Sequence, residues 1–395
     1  MHLITRHDVP WGLEELAALA RWPARPPGLD EVDGFEAELA AAIGAEHAVL
    51  MPSGSAALCW ILAALAPRGG EVVVPAYGHP GLLEVVAQAG CEPCLARVDP
   101  LTRLLDPDGL ASVITPRTRA VVAAHLYGRP CDVAALREAA PGVPVVGDGA
   151  HGLGAGLAGG RVGGIEEACA FSFRSGKPIV CGWGGAVTTS DPALAQRIRA
   201  RLAGAAAMPA PRIAAYFLPV LADLLALRRP VFAAAVLPVF RTLDRLAPGL
   251  LEGFWTGRIG PPLAVDLRPR AFPPILARLA RLQLHGLDAR SAQQVANSRA
   301  LFALYPKPRR FEYPPDRRDG ATHLCLAVAC ADAYCEARAL RSLGVDTRVD
   351  YMEDLDRDKR RGPVRVLHLP NHFRLGPADM EAVAAALGRV DRDSG

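Results

Sequence analysis

The chain is poor in lysine. Of its 44 Lys and Arg residues three are lysines, namely Lys177, Lys307 and Lys359. Lys307 stands between prolines beside a basic pair, and Lys359 lies in a run of Asp and Arg, so we expect both in solvent. Arginine keeps its proton in proteins, whereas a desolvated lysine can lose one and attack a carbonyl. Chemistry that needs an amine therefore falls to Lys177, which apolar residues and glycine surround.

The low net charge and the lack of a cysteine framework exclude further classes of function. The net charge is only +3, so no nucleic-acid-binding surface is indicated. The nine cysteines form no disulfide or zinc framework, and the one Cys-x-x-Cys, from Cys91 to Cys94, falls in a predicted strand. This cysteine usage suits a reducing cytosol, and no charged-then-apolar leader opens the chain. We expect a cytoplasmic protein without a metal site.

The uncharged runs are too short to cross a bilayer. Residues 213–222 and 230–240 are each about half of the roughly 20 residues that a spanning helix needs. We expect an apolar helical insertion over about residues 205–250, which packs within the subunit or across a dimer. Contact with a membrane surface is the alternative, because Arg pairs flank the apolar stretches.

Strand-like and helix-like segments alternate between residues 48 and 189. Such alternation predicts an α/β fold with a mainly parallel central sheet and helices on both faces. One long helix is predicted from about Pro274 toward Tyr305, and the strands and helix that follow it predict a smaller α+β domain. The expected organisation is an irregular N-terminal arm (1–30), a large domain (31–255) and a small C-terminal domain (256–395).

Three features of the large domain carry chemistry. Gly54 and Ser55 stand at a predicted helix start, where backbone N–H groups and the helix dipole favour a phosphate. Asp148 ends a buried strand, where a carboxylate needs a cationic or hydrogen-bonding partner. Ser172 ends another strand, and Lys177 follows it. Because ligands gather at the carboxyl ends of strands in such sheets, these groups suit the phosphate, ring nitrogen and aldehyde of pyridoxal 5′-phosphate.

The same stretches resemble a known family. They are similar to the DegT/DnrJ/EryC1/StrS group of fold-type-I pyridoxal-phosphate enzymes, largely sugar aminotransferases, and the resemblance runs from about Phe35 to Leu387. The motifs that carry it are Ser53-Gly-Ser-Ala-Ala-Leu58, His125-Leu-Tyr-Gly128, Val146-Gly-Asp-Gly-Ala-His151, Phe171-Ser-Phe-Arg-Ser-Gly-Lys177 and Gly182-Trp-Gly-Gly-Ala186.

The resemblance implies roles for individual residues. Lys177 would form the Schiff base and move the proton, and Asp148 would keep the pyridine nitrogen protonated. His151 takes the position where the family places Gln or His near the cofactor. His79 falls where an aromatic ring usually stacks on the cofactor, and Tyr77 competes for that role. The phosphate would be held by Gly54, Ser55 and Ser172.

One departure concerns the neighbouring subunit. The family resemblance implies a homodimer in which an Asn reaches the partner's phosphate, but Asp266 stands at the nearest match here. A carboxylate that faces a phosphate is unfavourable, so either Arg268 contacts the phosphate or the match is displaced along the chain.

Three hypotheses for the function follow. The first is an aminotransferase that uses glutamate as donor, pyridoxamine phosphate as intermediate and a nucleotide-linked keto sugar as acceptor. The second is a related enzyme that acts on a cyclitol or aminohydroxybenzoate-type ring, since Asp148-Gly-Ala-His151 is similar to such enzymes. The third is an inactive scaffold at a membrane surface.

A dinucleotide site is a further alternative. Gly154-Ala-Gly-Leu-Ala-Gly159 fits G-x-G-x-x-G, but no helix follows and no acid stands at the expected distance. We interpret this segment as a glycine-rich hairpin.

Overall fold

The strands form one large and one small sheet. The structure is a computed structural model that describes residues 3–66, 68–247, 267–313, 320–350, 352–355 and 365–392. The strands of the described residues are β1 (His47–Met51), β2 (Glu71–Pro75), β3 (Tyr77–Gly78), β4 (Glu92–Ala96), β5 (Thr118–Ala124), β6 (Val145–Asp148), β7 (Gly156–Leu157), β8 (Gly160–Arg161), β9 (Ala168–Ser172), β10 (Gly185–Thr189), β11 (Phe311–Glu312), β12 (Leu326–Cys330), β13 (Arg348–Val349), β14 (Glu353–Asp354) and β15 (Arg365–Leu369).

Many of the helices begin at a capping side chain. Ser53 and four aspartates accept backbone N–H groups of the first turn, as N-cap residues do. The helices are α1 (Leu13–Arg21), α2 (Asp30–Ile43), α3 (Gly54–Leu65), α4 (Leu82–Gln88), α5 (Pro107–Ala111), α6 (Val133–Ala139), α7 (Pro192–Leu202), α8 (Ala210–Ala226), α9 (Arg229–Val231), α10 (Leu237–Leu246), α11 (Pro274–His285), α12 (Leu287–Leu304), α13 (Ala333–Ser342) and α14 (Pro377–Arg392).

The large sheet has seven strands in the order β1-β10-β9-β6-β5-β2-β4. The pairs from β9 through β4 are parallel, and β10 pairs antiparallel with both β1 and β9. Successive strand residues point to opposite faces. Phe171 packs in one apolar cluster with α2 and α11, whereas Ala170 packs in another with α3 and α7. Helices therefore cover both faces, which confirms the α/β prediction.

The small sheet is antiparallel, in the order β11-β12-β15-β13, and packs against α13 and α14 around a cluster of its own. A separate two-stranded pairing joins the C-terminal part to the large sheet. In it β14 pairs with β3, so that Asp354 lies opposite Tyr77. The segment that follows β13 is thereby attached to the loop after β2.

Two predictions about helices are wrong. The N-terminal arm is not irregular throughout, because Glu15 accepts the backbone N–H of Gly12 at 2.7 Å and α1 packs Leu16 and Leu19 on the core. The helix predicted from Pro274 toward Tyr305 is two helices, which meet at Gly286. The predicted boundary between residues 255 and 256 lies outside the described residues, and the domain division stays a prediction.

The apolar insertion is helical as far as residue 247. Helices α8 and α9, a wider helical turn (Phe232–Val236) and α10 follow one another. Phe217 of α8 packs edge-on against Trp11 and Trp22, at centroid distances of 6.0 and 5.9 Å. Packing within the subunit is therefore present. In the described part of the chain, no helix is long and apolar enough to cross a membrane.

Candidate active site

The predicted site residues lie around the carboxyl ends of the central strands β6 and β9 of the large sheet. Asp148 ends β6 opposite Ala124 of β5 and Ala170 of β9, and Ser172 at the end of β9 lies opposite Gly185. Asp148 is half-buried and accepts the backbone N–H of Ala150 at 3.1 Å. The carboxyl ends of neighbouring strands thus bring the acid and the serine together.

The first turn of α3 closes on the end of β9. Ser53 Oγ accepts the N–H of Ala56 at 3.0 Å and starts the helix. A Cβ added to Gly54 would lie 2.9 Å from Ser172 Cβ and 3.1 Å from the carbonyl oxygen of Phe171. Glycine is required for this close approach. The helix N-terminus, its dipole and the hydroxyls of Ser55 and Ser172 are groups that could hold a phosphate.

The loop that carries Lys177 is held from several sides. Ser175 Oγ donates to Asp223 of α8 at 3.1 Å, and Gly176 has φ +77°. The main chain of Val180 bonds both ends of the Gln283 amide, at 2.8 and 3.0 Å, and its carbonyl accepts Trp11 Nε1 at 2.8 Å. Lys177 itself is half-buried. Helix α8 of the insertion therefore contacts the loop that presents the amine.

Two imidazoles lie within electrostatic reach of Lys177. Burial lowers the pKa of His79, and the charge of Lys177 lowers it further, while Asp148 opposes the shift. Burial holds the pKa of His151 well below its usual value, and Lys177 again adds to this. A nearby positive charge disfavours protonation of an imidazole. The site therefore places one amine between two imidazoles that are neutral at pH 7.

Each imidazole accepts a hydrogen bond from a defined backbone N–H. His79 Nδ1 accepts the backbone N–H of Gly81 at 3.0 Å. His151 Nδ1 accepts the N–H of Tyr127 at 3.4 Å, and the two rings stack with centroids 6.1 Å apart. A neutral imidazole that accepts at Nδ1 carries its proton on Nε2. In both histidines the Nε2–H group is thus a donor.

Tyr77, the other candidate for stacking on the cofactor, is bonded to a buried tyrosine and a buried aspartate. It is 3% exposed, and its hydroxyl is 3.0 Å from that of Tyr127 and donates to Asp350 at 3.1 Å. Sequence reasoning missed Tyr127, Asp350 and His368, which form this buried network beside His151. Only an acid directly after a short strand hinted at Asp350. Of the pair considered for the neighbouring subunit, Asp266 lies outside the described residues and Arg268 is exposed.

A buried histidine–glutamate pair lies next to β6, and His125 Nδ1 accepts the backbone N–H of Cys131 at 3.0 Å. His125 Nε2 and Glu166 Oε1 are 2.8 Å apart, and both side chains are 0% exposed. His125 follows β5, and its backbone N–H donates to the carbonyl of Asp148 at 3.0 Å.

The glycine-rich segment 154–164 is the predicted hairpin, with β7 and β8 antiparallel. It is not a dinucleotide motif, because no helix follows it.

Residues 28–210 match the model of the DegT/DnrJ/EryC1/StrS aminotransferase family. This segment belongs to that family. It contains all seven strands of the large sheet and each of the predicted site residues from Gly54 to Lys177. The family resemblance is thereby confirmed.

Curated relatives match over less than half of the chain. The dTDP-3-amino-3,4,6-trideoxy-alpha-D-glucose transaminase of Streptomyces venezuelae is 43% identical over 173 residues, 43% of this chain and 46% of the relative. The 3-amino-5-hydroxybenzoate synthase of Amycolatopsis mediterranei is 38% identical over 167 residues, 42% and 43% of the two chains. The matched region thus spans about half the length of these relatives.

Solved structures match over nearly the whole chain. S. venezuelae DesV in complex with a ketimine intermediate has a TM-score of 0.75 at 25% identity, covering 99% of both chains. The 3-amino-5-hydroxybenzoic acid synthase has a TM-score of 0.71 at 21% identity, with 98% of this chain and 99% of that chain covered. The second likeness concerns the fold alone. The predicted fold class, the type I fold of the pyridoxal-phosphate-dependent transferases, is confirmed.

Proposed function

We propose that the chain is a pyridoxal-phosphate-dependent aminotransferase that transfers an amino group from glutamate to a nucleotide-linked keto sugar. The observation that carries the proposal is the meeting of Lys177, Asp148 and the first turn of α3 at one sheet edge. The residues present fit the cofactor. A Cβ at Gly54 would clash with Ser172, and Lys177 and Asp148 both lie within electrostatic reach of His79.

Individual residues of the chain would bind the cofactor and transfer the proton in the following roles. Gly54, Ser55 and Ser172 hold the phosphate through N–H and hydroxyl groups. Asp148 binds the ring nitrogen and keeps its proton in place. Lys177 Nζ holds the aldehyde and then takes the proton from the substrate carbon. When bound, the cofactor supplies an electron sink and carries the amino group between the two half-reactions.

The two histidines would orient the ring. His79 is half-buried next to Lys177, whereas Tyr77 is committed to Asp350, which supports His79 as the group that stacks on the cofactor. His151 offers an Nε2–H to an oxygen of the cofactor. Because both imidazoles are neutral, neither opposes the positive charge of Lys177.

Relatives support a sugar acceptor. The first is a dTDP-sugar transaminase, and a Pseudomonas aeruginosa relative, 37% identical over 173 residues, is a UDP-2-acetamido-2-deoxy-3-oxo-D-glucuronate aminotransferase.

The second candidate function is amination of a cyclitol or aminohydroxybenzoate-type ring, favoured by the 3-amino-5-hydroxybenzoate synthase relative. None of the nine cysteines, all of which lie in the described residues, forms a disulfide, which supports placement in the cytosol. A homodimer in which Arg268 reaches the partner's site completes the proposal.

A lysine exchange tests the cofactor chemistry. The purified protein is expected to be yellow, and borohydride should fix the cofactor to the peptide that contains Lys177. Lys177→Ala should remove the bound colour and the transamination, because it takes away the amine that would hold the aldehyde. Lys307→Ala is the matched control, since Lys307 is exposed and should leave both unchanged. A colourless protein that gains no colour with pyridoxal phosphate would refute the proposal and support the scaffold hypothesis.

The class of amino acceptor is tested with the protein that carries bound pyridoxal phosphate. Nucleotide amino sugars and cyclitol amines are each mixed with it, and conversion to pyridoxamine phosphate is followed by the loss of colour. Conversion by nucleotide amino sugars alone supports the first acceptor class. Conversion by cyclitol or aromatic amines alone supports the second.

A further inference from the structure

A buried polar cluster joins the two sheets beside the candidate site. We call Tyr77, Tyr127, Asp350 and His368 the Asp350 cluster. Asp350 Oδ2 accepts hydrogen bonds from the hydroxyls of Tyr77, at 3.1 Å, and Tyr127. Asp350 Oδ1 accepts the N–H of Met352 at 3.1 Å and lies 3.4 Å from His368 Nε2. The Asp350 side chain is 1% exposed, so every group it touches belongs to the protein.

Tyr127 has a backbone conformation that few side chains adopt. It has φ +60° and ψ 20°, in the left-handed region, and Gly128 follows with φ +79°. A tyrosine persists there only when its surroundings hold it. The phenol is bonded to Asp350, and the Gly128 carbonyl accepts the N–H of Thr322 at 2.8 Å. Contacts from the C-terminal part of the chain thus hold this turn.

The unusual turn has a consequence for His151. With Tyr127 left-handed, its N–H points to His151 Nδ1 at 3.4 Å, and its ring stacks on the imidazole with an interplanar angle of 28°. Acceptance at Nδ1 leaves the proton on Nε2. His151 also lies within electrostatic reach of Lys177, Asp350, His368 and Arg348. Tyr127 therefore contacts the imidazole both through its backbone N–H and through its ring.

We propose that Asp350 is a positioning residue for the candidate site, which acts through Tyr127 to hold His151 in the tautomer that donates from Nε2. Asp350 fixes the phenol, the fixed phenol holds the left-handed turn, and the turn presents its N–H to Nδ1. A donor at Nε2 suits an anionic oxygen of a bound ligand. The link to a cofactor rests on the proposed function, whereas the link from Asp350 to the tautomer does not.

The test reads the imidazole directly. Protein without cofactor is labelled with ¹⁵N-histidine, and the His151 signals are assigned by comparison with His151→Gln. Spectra are recorded near pH 8, where an imidazole of lowered pKa is neutral. The two ring nitrogens then report the tautomer. We expect protonation at Nε2 in the wild type, and a shift of about fivefold toward the Nδ1–H form in Asp350→Ala, as loss of one hydrogen bond predicts.

Tyr127→Phe is a second test variant, and Asp346→Asn is the control. Tyr127→Phe removes only the hydroxyl and should shift the tautomer as Asp350→Ala does, which keeps the test valid if Asp350→Ala does not fold. Asp346 is a matched control, because it is also buried in this segment but pairs with Arg6. Asp346→Asn should leave the tautomer unchanged. An unchanged tautomer in folded Tyr127→Phe, or an equal shift in Asp346→Asn, would overturn the inference.

A cofactor titration separates this inference from the proposed function. Pyridoxal phosphate should bind Asp350→Ala about tenfold more weakly than the wild type if His151 Nε2 contacts it. Wild-type protein that binds no pyridoxal phosphate would refute the proposed function, while the tautomer measurement would still decide the role of Asp350. Equal affinity in wild type and variant, with the tautomer shifted, would overturn the contact between His151 and the cofactor.

Discussion

Raising the pH should destabilise the fold through one buried imidazole. Burial alone lowers the pKa of His368, but Cys325 and the carboxylate of Asp350 outweigh it and raise the pKa to about 10. Arg348 is its register partner on β13, and the edge of the Tyr127 ring packs on it at 5.4 Å. Asp350, Cys325 and Arg348 are therefore the charged or titratable groups that face this ring. At neutral pH His368 is a buried cation paired with Asp350.

The sign and size of the effect follow from linkage. A group whose pKa is higher in the folded state stabilises the fold fully below its unfolded pKa, about 6.5 for histidine, and loses that contribution as the pH rises. The window therefore runs from about pH 6.5 to about 10. At 1.36 kcal/mol per pKa unit, the free energy of unfolding should fall by at most ~5 kcal/mol across it.

Urea unfolding at intervals from pH 6 to pH 10 measures this loss. His368→Gln should flatten the curve, because a neutral amide has no proton to lose. His372→Gln is the control: His372 is also buried, but its pKa is lowered to about 3, chiefly by burial, so it carries no charge in this window. Wild-type and His368→Gln curves that stay parallel within about 1 kcal/mol would refute the reasoning.

Two further predictions concern the site and its support. Gly54→Ala places a methyl group 2.9 Å from Ser172 Cβ and should weaken pyridoxal phosphate binding about tenfold or more in equilibrium dialysis; equal affinity would contradict the phosphate seat. Glu166→Ala removes the acceptor of the buried His125 Nε2–H and should lower the free energy of unfolding by ~1–3 kcal/mol in urea. Arg97→Ala, at a surface ion pair with a 64% exposed arginine, should cost less than ~1 kcal/mol, and equal losses would contradict the role of burial.

Local signals explain the elements that were predicted correctly. Ser53 caps α3 through its own side chain, and Asp132 and Asp191 cap α6 and α7 in the same way. Apolar runs that end in Asp148 and Ser172 are strands of a sheet covered on both faces. Such signals need only neighbouring residues, which is why the strand ends at Asp148 and Ser172 could be predicted from the sequence.

The misses have a long-range cause. Helix α1 is stabilised by packing of Leu16 and Leu19 on the core, which no local pattern reveals. Asp350 and Tyr127 are 223 positions apart in the chain, yet they share a hydrogen bond. Tyr127 lies in the motif His125-Leu-Tyr-Gly128, but the motif does not name Asp350 as its partner, and the contact forms only when the two sheets meet.

By itself, the sequence determined the kind of chemistry. One lysine in an apolar setting, an acid at a strand end and a glycine at a capped helix start are local facts, because backbone geometry and side-chain type decide them. Only the tertiary structure decided which groups surround that lysine. His79 and His151 become neutral donors through burial and the charge of Lys177, and Tyr127 holds its strained turn through Asp350. Burial and through-space charge depend on distances between remote segments, and those distances exist only in the folded chain.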